Sequence, residues 1–337
     1  MRRYHFSRSV LSATLLALSV VSLSPTAMAG DVPTAVAPAG DLQAKLDALA
    51  QRARAGTFGI AVLDLQSGKT WSVNADRAYP MMSVFKVPVA ASMLDRIEHG
   101  QNSFDQTVTI TRAELQSGTI RDHFQGERMT FTVRELLTDA VSKSDNTAVD
   151  ALIKFMGGPT IVENYLRTHG IDGLHVDRGE AGNLLLFEAL RPGETAPANE
   201  TDDQQNQRLL RGYQLFLADP GNRSTPDAAV LFLRKLWQRE LLSPKSTQYL
   251  LNLMYGQTIP NRLRAGLSAN VRLADKCGTS ETVNGLTAAY NDIGILTWPD
   301  GHTVIVAAFL TASNASEDER HALFVDLAHD LTNALHP

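Results

Sequence analysis

Alternating apolar patterns sit at the two ends of this chain, a long helical stretch lies between them, and that order restricts the fold more than any other feature. Ile60, Val62 and Leu65, then Trp71 and Val73, flank the turn Ser67-Gly68-Lys69 and predict two strands. Strands resume only over 271–276, 286–297 and 303–310, the last two joined by Pro299-Asp300-Gly301. Between these blocks, helices are expected over 87–97, 132–141, 147–155, 160–168, 225–240 and 244–254. Asp41 and Gly56 bracket a first helix with Leu42, Leu46 and Leu49 on one stripe, and the capping box Ser316-Glu317-Asp318-Glu319 opens a last one carrying Phe324, Leu327 and Leu331. The expected fold is α/β (α+β): a five-stranded antiparallel sheet built from both chain ends, flanked by the terminal helices, with an all-helical domain inserted. Residues 178–224 are broken by Gly179, Gly182, Pro192, Gly193, Pro197, Pro220 and Gly221 and read as an extended loop with one helix over 203–216.

The first 29 residues stand apart. Arg2, Arg3 and Arg8 precede an apolar run from Leu15 to Leu23, and Ala27-Met28-Ala29 supplies a small-x-small cleavage signal, so 1–29 reads as a secretory signal peptide too short for a membrane anchor. Arg2-Arg3 does not decide between twin-arginine and general export. Residues 30–40, rich in Pro, Ala and Gly, form a tether, and 41–336 is the folded unit: 41–78 and 262–336 as an α/β subdomain, 79–261 as a helical one. The chain has net charge −5, and the leader holds three cations and no acid, so the exported part carries −8. That balance argues against nucleic acid or an anionic membrane as partner. Cys277 is the one cysteine, which excludes an intramolecular disulfide. With scattered histidines and no His-Glu-x-x-His, neither a metal nor another cofactor is expected, and a periplasmic or secreted monomer is the default.

Three short motifs carry chemistry. Ser83-Val84-Phe85-Lys86 places a hydroxyl and an ammonium one turn apart if the segment is helical. A serine becomes a nucleophile only when a base takes its proton, and at a helix start its own amide is free to face a developing oxyanion. Ser-x-x-Lys by itself arises by accident about once in a chain of this length, and then means a helix start with a solvated lysine. Ser144-Asp145-Asn146 falls between two expected helices, and Lys276-Cys277-Gly278-Thr279 ends an expected strand. For Asp145 the plain reading is a helix cap.

In this order the motifs resemble those of class A serine β-lactamases and their penicillin-binding relatives, Ser-x-x-Lys, Ser-Asp-Asn and Lys-Thr-Gly. Thr132-Val133-Arg134-Glu135-Leu136 and Asn284-Gly285-Leu286-Thr287-Ala288-Ala289 add to the likeness, which covers about 41–336. The resemblance implies an acylated nucleophile at Ser83, a proton acceptor or relay at Lys86, and Ser144 passing a proton to the leaving nitrogen with support from Lys276. It implies that Asn146 holds the side-chain amide of a small β-lactam substrate and that the amides of Ser83 and Thr279 form the oxyanion hole. Cys277, Gly278 and Thr279 then border the substrate, and Arg262 offers charge to its carboxylate.

Two features depart from the family pattern. Arg178-Gly179-Glu180 has the spacing of the deacylating glutamate, but Ala181 replaces the usual proline and Asn183 is the nearest asparagine. Glu188, Glu194, Glu200, Asp202 and Asp203 compete with Glu180 if the alignment shifts, and a solvated loop acid is the plain alternative. Cys277 stands where the family has a hydroxyl residue, so it is either a weak donor to the substrate or a cysteine chosen for size. Three functions stay open at this level: a β-lactamase, a D-alanyl-D-alanine carboxypeptidase or transpeptidase, and a non-hydrolysing β-lactam or peptidoglycan-binding protein.

Overall fold

The computed structural model describes residues 40–53 and 55–336, so the expected leader and, apart from Gly40, the tether lie outside the described residues. The chain runs α1 (Gly40–Arg52), β1 (Thr57–Asp64), β2 (Thr70–Val73), β3 (Tyr79–Pro80), a 3-10 turn (Met82–Phe85), α2 (Lys86–Glu98) and β4 (Thr107–Thr111). It continues through α3 (Thr119–His123), β5 (Arg128–Thr132), α4 (Val133–Val141), α5 (Asn146–Met156), α6 (Pro159–Thr168), α7 (Glu180–Phe187), α8 (Asp202–Ala218), β6 (Arg223–Ser224), α9 (Pro226–Trp237) and α10 (Pro244–Tyr255). β7 (Arg272–Thr279), β8 (Thr282–Val283), β9 (Leu286–Thr297), β10 (Thr303–Ser313) and α11 (Glu317–Leu335) complete it.

The main sheet is antiparallel in the order β2-β1-β10-β9-β7, so strands from both chain ends are neighbours, with Thr57 opposite Thr311 and Asp64 opposite Val304. Successive side chains point to opposite faces. Val304, Val306, Ala308 and Leu310 therefore join Phe58, Ile60, Leu46 and Phe324 in a core under α1 and α11, while Ile305, Ala307 and Phe309 join the core of the helical segment, with Val84, Leu136 and Phe232. Burial on both faces explains the unbroken apolar run of β10. Across the outer layer, Lys45 Nζ lies 3.1 Å from Asp330 and Arg52 Nη1 2.7 Å from Asp326.

The structure corrects three expectations. The inserted segment is not all-helical, because β4 pairs with β5 and β3 with β6. The sheet has a sixth strand, because Asn284 and Gly285, with φ of 49° and 77°, turn β8 back onto β9. Residues 178–224 carry the expected helix, as α8, and a second one that was not expected, α7, packed against it. Pro192, Gly193 and Pro197 fall in the connection between α7 and α8, where they break no helix. The Phe187 ring lies 5.0 Å from that of Tyr213 and 4.1 Å from that of Phe216. α8 starts at a reciprocal capping box between Thr201 and Gln204, and its Gly212 lies so close to α7 that an added Cβ would stand 1.9 Å from the Phe187 carbonyl oxygen.

Candidate active site

Ser83 lies in the 3-10 turn that feeds α2, so Lys86 follows it at the first position of the α-helix. The turn is held from the sheet, since Asn291 Nδ2 of β9 donates to the Pro80 and Met81 carbonyls at 2.8 and 3.1 Å. β7 also meets it at Gly278, where an added Cβ would sit 2.4 Å from Met81 O and 3.2 Å from Ser83 N. Only glycine permits that approach. Met82 and Ser144 both have positive φ, 47° and 59°. Each costs backbone energy that the surrounding packing must offset, a pattern common at functional sites.

Ser144 bridges the two lysines. Lys276 Nζ donates to Ser144 Oγ at 2.9 Å, while Lys86 Nζ donates to Ser144 O at 2.7 Å and lies 3.5 Å from Ser144 Oγ. Lys86, fully buried, also donates to Asn146 Oδ1 at 2.5 Å and lies 3.3 Å from Glu180 Oε1. Four oxygens thus surround an ammonium that has three protons, the Ser144 hydroxyl being the most distant. Glu180 Oε1 is in turn 3.4 Å from Ser83 Oγ. Burial pushes the Lys276 ammonium down to about 8, helped by the charges of Lys86 and Arg262 and opposed by Cys277 and Asp275.

The sequence-derived residues therefore converge: Ser83, Lys86, Ser144, Asn146, Glu180 and Lys276 form one connected polar cluster. The competing acids are engaged elsewhere or exposed. Glu188 and Glu200 both pair with the buried Arg208, Glu194 pairs with Arg191, and Asp202 and Asp203 are exposed at the start of α8. Asn183 is buried one turn beyond Glu180, its Nδ2 3.5 Å from Glu180 Oε2. Arg262 is not a surface arginine. It is 1% exposed, its guanidinium lies 3.8 Å from the centre of the Tyr290 ring, and its Nη2 donates to Thr279 Oγ1 at 2.5 Å. Cys277 is buried, with its thiol 3.4 Å from Gln257 Oε1.

Several residues without a motif complete the arrangement. Asp145 caps α5 through Ala148 N and also accepts Ile120 N, each at 2.8 Å. Gln257 donates to Asp275 at 2.5 Å and lies 3.4 Å from Lys276 Nζ. Asn222 ties the approach to α7 by accepting Asp177 N and Arg178 N at 2.7 and 3.1 Å. Asp150 accepts the N–H groups of Glu180 and Ala181. Its signal was its position, one turn beyond Asn146 on the same face of α5. A cavity of about 510 Å³ opens beside the cluster, bordered by Asn146, Glu180, Thr279, Arg121, Leu184 and Tyr213. Its chemistry suits attack on an acyl group: a hydroxyl against a carboxylate and a second hydroxyl against a buried cation. Among the described residues no His, Cys, Asp and Glu grouping is arranged to hold a metal ion.

Comparison with known proteins agrees with this geometry. The model of a family described as "Beta-lactamase enzyme family" matches residues 41–335. An extended-spectrum beta-lactamase, PER-1, from Pseudomonas aeruginosa is 32% identical over 276 residues, 81% of this chain and 80% of that protein. Beta-lactamase VEB-1 from the same organism is 29% identical, with 82% of this chain and 85% of that protein covered. Among solved structures, a beta-lactamase from Chitinophaga pinensis superposes with a TM-score of 0.74 at 31% identity, covering 87% of this chain and 99% of that one.

Proposed function

Because the chain belongs to the beta-lactamase enzyme family, we propose that it is a class A serine β-lactamase that opens the β-lactam amide through an acyl-enzyme on Ser83, released by water that Glu180 activates. The observation that carries this reading is the contact of Glu180 Oε1 with both Ser83 Oγ and Lys86 Nζ, at 3.4 and 3.3 Å. Lys86 is surrounded by acceptors, so it serves as the relay and Glu180 as the acceptor of the Ser83 proton. Ser83 Oγ then bonds to the lactam carbon, and the amides of Ser83 and Thr279 stabilise the oxygen that gains charge. As the C–N bond breaks, Ser144 gives its proton to the nitrogen, Lys276 at 2.9 Å from Ser144 Oγ stabilises the transient oxyanion, and the proton held by Glu180 returns to Ser144 through Lys86, which leaves Glu180 ionised again. In the second half-reaction Glu180, with Asn183 beside it, takes a proton from water. The resulting hydroxide attacks the acyl carbon, the ester C–O bond breaks, and Ser83 recovers its proton.

Asn146 would hold the substrate's side-chain amide, and Thr279, Gly278 and Arg262 would border its carboxylate. Cys277 serves this strand end through Gln257 rather than through the substrate. In this reading 41–78 and 262–336 form one subdomain and 79–261 the other, the site lies between them, and the protein is an exported monomer.

The test is Glu180→Gln mixed with a chromogenic cephalosporin, with absorbance and protein mass followed together. One equivalent of ring opening, slowed because glutamine cannot take the Ser83 proton and Lys86 must, should be followed by a persistent adduct on Ser83, with turnover down by about 10²- to 10⁴-fold, the usual contribution of a general base. Undiminished turnover removes Glu180 from the role. A persistent adduct on the unmutated protein would mark a non-hydrolysing binder, and D-alanine release from a pentapeptide without lactam turnover would mark a carboxypeptidase.

A further inference from the structure

Gln257 belongs to no motif, yet both ends of its side-chain amide are committed inside the polar cluster. It is buried and follows α10 by two residues, in a segment pinned to the end of α4, where Thr258 N donates to Ser142 O at 3.0 Å. Its Nε2 donates to Asp275 at 2.5 Å, and Arg264 holds the other oxygen of that carboxylate. Its Oε1 accepts from Lys276 Nζ and from the Cys277 thiol, each at 3.4 Å. A carboxylate on one side and an ammonium on the other leave the amide one orientation, and both lone pairs of its oxygen are in use. Lys276, fully buried, has three protons and three acceptors: Ser144 Oγ and Cys277 O at 2.9 Å, and Gln257 Oε1. Of the two supporting acceptors, Cys277 O lies on the same strand as the lysine, and Gln257 is supplied from another element.

Resting on the β-lactamase reading, we propose that Gln257 is a positioning residue for protonation of the leaving nitrogen: its carbonyl fixes the rotation of the Lys276 ammonium so that one proton stays on Ser144 Oγ, and it helps to keep that buried ammonium charged. Burial holds Lys276 down to about 8. The charges facing it are Lys86 from α2 and Arg262 from the segment after α10, which push the same way as burial, and Cys277 and Asp275 from β7, which oppose it. Removing the Gln257 carbonyl takes support from the charged form alone, so the midpoint must fall. The contact is long, which places it at the weak end for a hydrogen bond to a charged group, about tenfold in the acid dissociation constant. Once Lys276 is neutral, the anion that forms on Ser144 has no cation donating to it.

The experiment is Gln257→Met, which keeps the length of the side chain and removes both polar atoms, read in two ways. Lys276 is titrated in the unliganded protein by NMR of lysine labelled with carbon-13 at Cε, and kcat/KM for a chromogenic cephalosporin is followed from about pH 6 to about pH 9. The midpoint should fall from about 8 to about 7, and the deficit in kcat/KM against the unmutated protein should widen about eightfold across that range. Gln257→Glu is the rescue: beside Asp275 the new carboxyl keeps its proton, donates it to Asp275 and offers its carbonyl to Lys276, so the midpoint should stay at or above the unmutated value. A deficit equal at every pH, a midpoint unmoved by Gln257→Met, or one lowered by Gln257→Glu would overturn the proposal. If Gln257→Met does not fold, Gln257→Asn decides. An amide one carbon shorter cannot span both partners and stays with Asp275, its shorter contact, so the Lys276 midpoint must fall again, and an unmoved one overturns the proposal. If the unmutated protein opens no lactam, the β-lactamase reading fails and this role with it; if it does and the midpoint does not move, only this role fails.

Discussion

Arg262 offers a sharp test of how the site would recognise a carboxylate, because it is buried and works through a neighbour. Its Nη2 donates to Thr279 Oγ1, so the hydroxyl proton of Thr279 is left to point into the cavity that Thr279 borders. A substrate carboxylate accepting that proton would stand roughly 5–7 Å from the guanidinium, and at an effective dielectric constant near 20 the attraction is about 2–3 kcal/mol. Arg262→Met keeps an unbranched stem against Tyr290 and leaves the positive φ of 60° at the same cost. kcat/KM for a cephalosporin should then fall about 30- to 150-fold, at 1.36 kcal/mol per factor of ten. The control is the methyl ester of the same cephalosporin, which lacks the charge. Its smaller kcat/KM should change by less than about threefold on the same substitution. Equal losses on acid and ester would refute the reasoning and reduce Arg262 to a structural support for Thr279.

Two further outcomes follow from the geometry. The Lys276 ammonium is held down to about 8, so its charge is present below that pH and lost above it; kcat/KM for acylation should decline above pH 8, and Lys276→Arg should move that alkaline limb beyond pH 10. An unmoved limb would assign it to another group. Gly212→Ala places a methyl 1.9 Å from the Phe187 carbonyl oxygen and must push α7 and α8 apart, at about 1–3 kcal/mol. Thermal unfolding should begin several degrees lower, and an unchanged melting temperature would contradict the close packing.

The motif-bearing part of the site was legible because its chemistry needs fixed residue types at helix starts and strand ends. Ser83, Ser144 and Lys276 stand at such junctions. That one antiparallel sheet is built from both chain ends was legible from where the strand-forming runs lie, but β8 was missed although Asn284-Gly285 is a strong hairpin signal; two residues of strand are too few to show a period. Within residues 178–224 the helix over 203–216 was legible and stands as α8, but α7 was missed because turn formers were weighed by number instead of position and Leu184 to Phe187 is an apolar run without period. Arg262 and Asp150 illustrate a different limit. What makes them matter is a partner far along the chain, Tyr290 for one and the Glu180 amide for the other, and no local pattern announces it.

The pairing of β1 with β10 also bears on how the molecule is assembled. Residues 57–64 pair locally with β2 along one edge, but along the other they pair only when residues 304–311 are present, so that strand pair closes a loop of more than two hundred residues. Such closure is entropically costly and slow, whereas the contacts among α2, α4, α5 and α6 are far shorter in sequence. The apolar first strand can pair with β2 at once, but its other edge must wait until the final sixth of the chain has been made, and that interval is when the polypeptide is most exposed to aggregation and proteolysis.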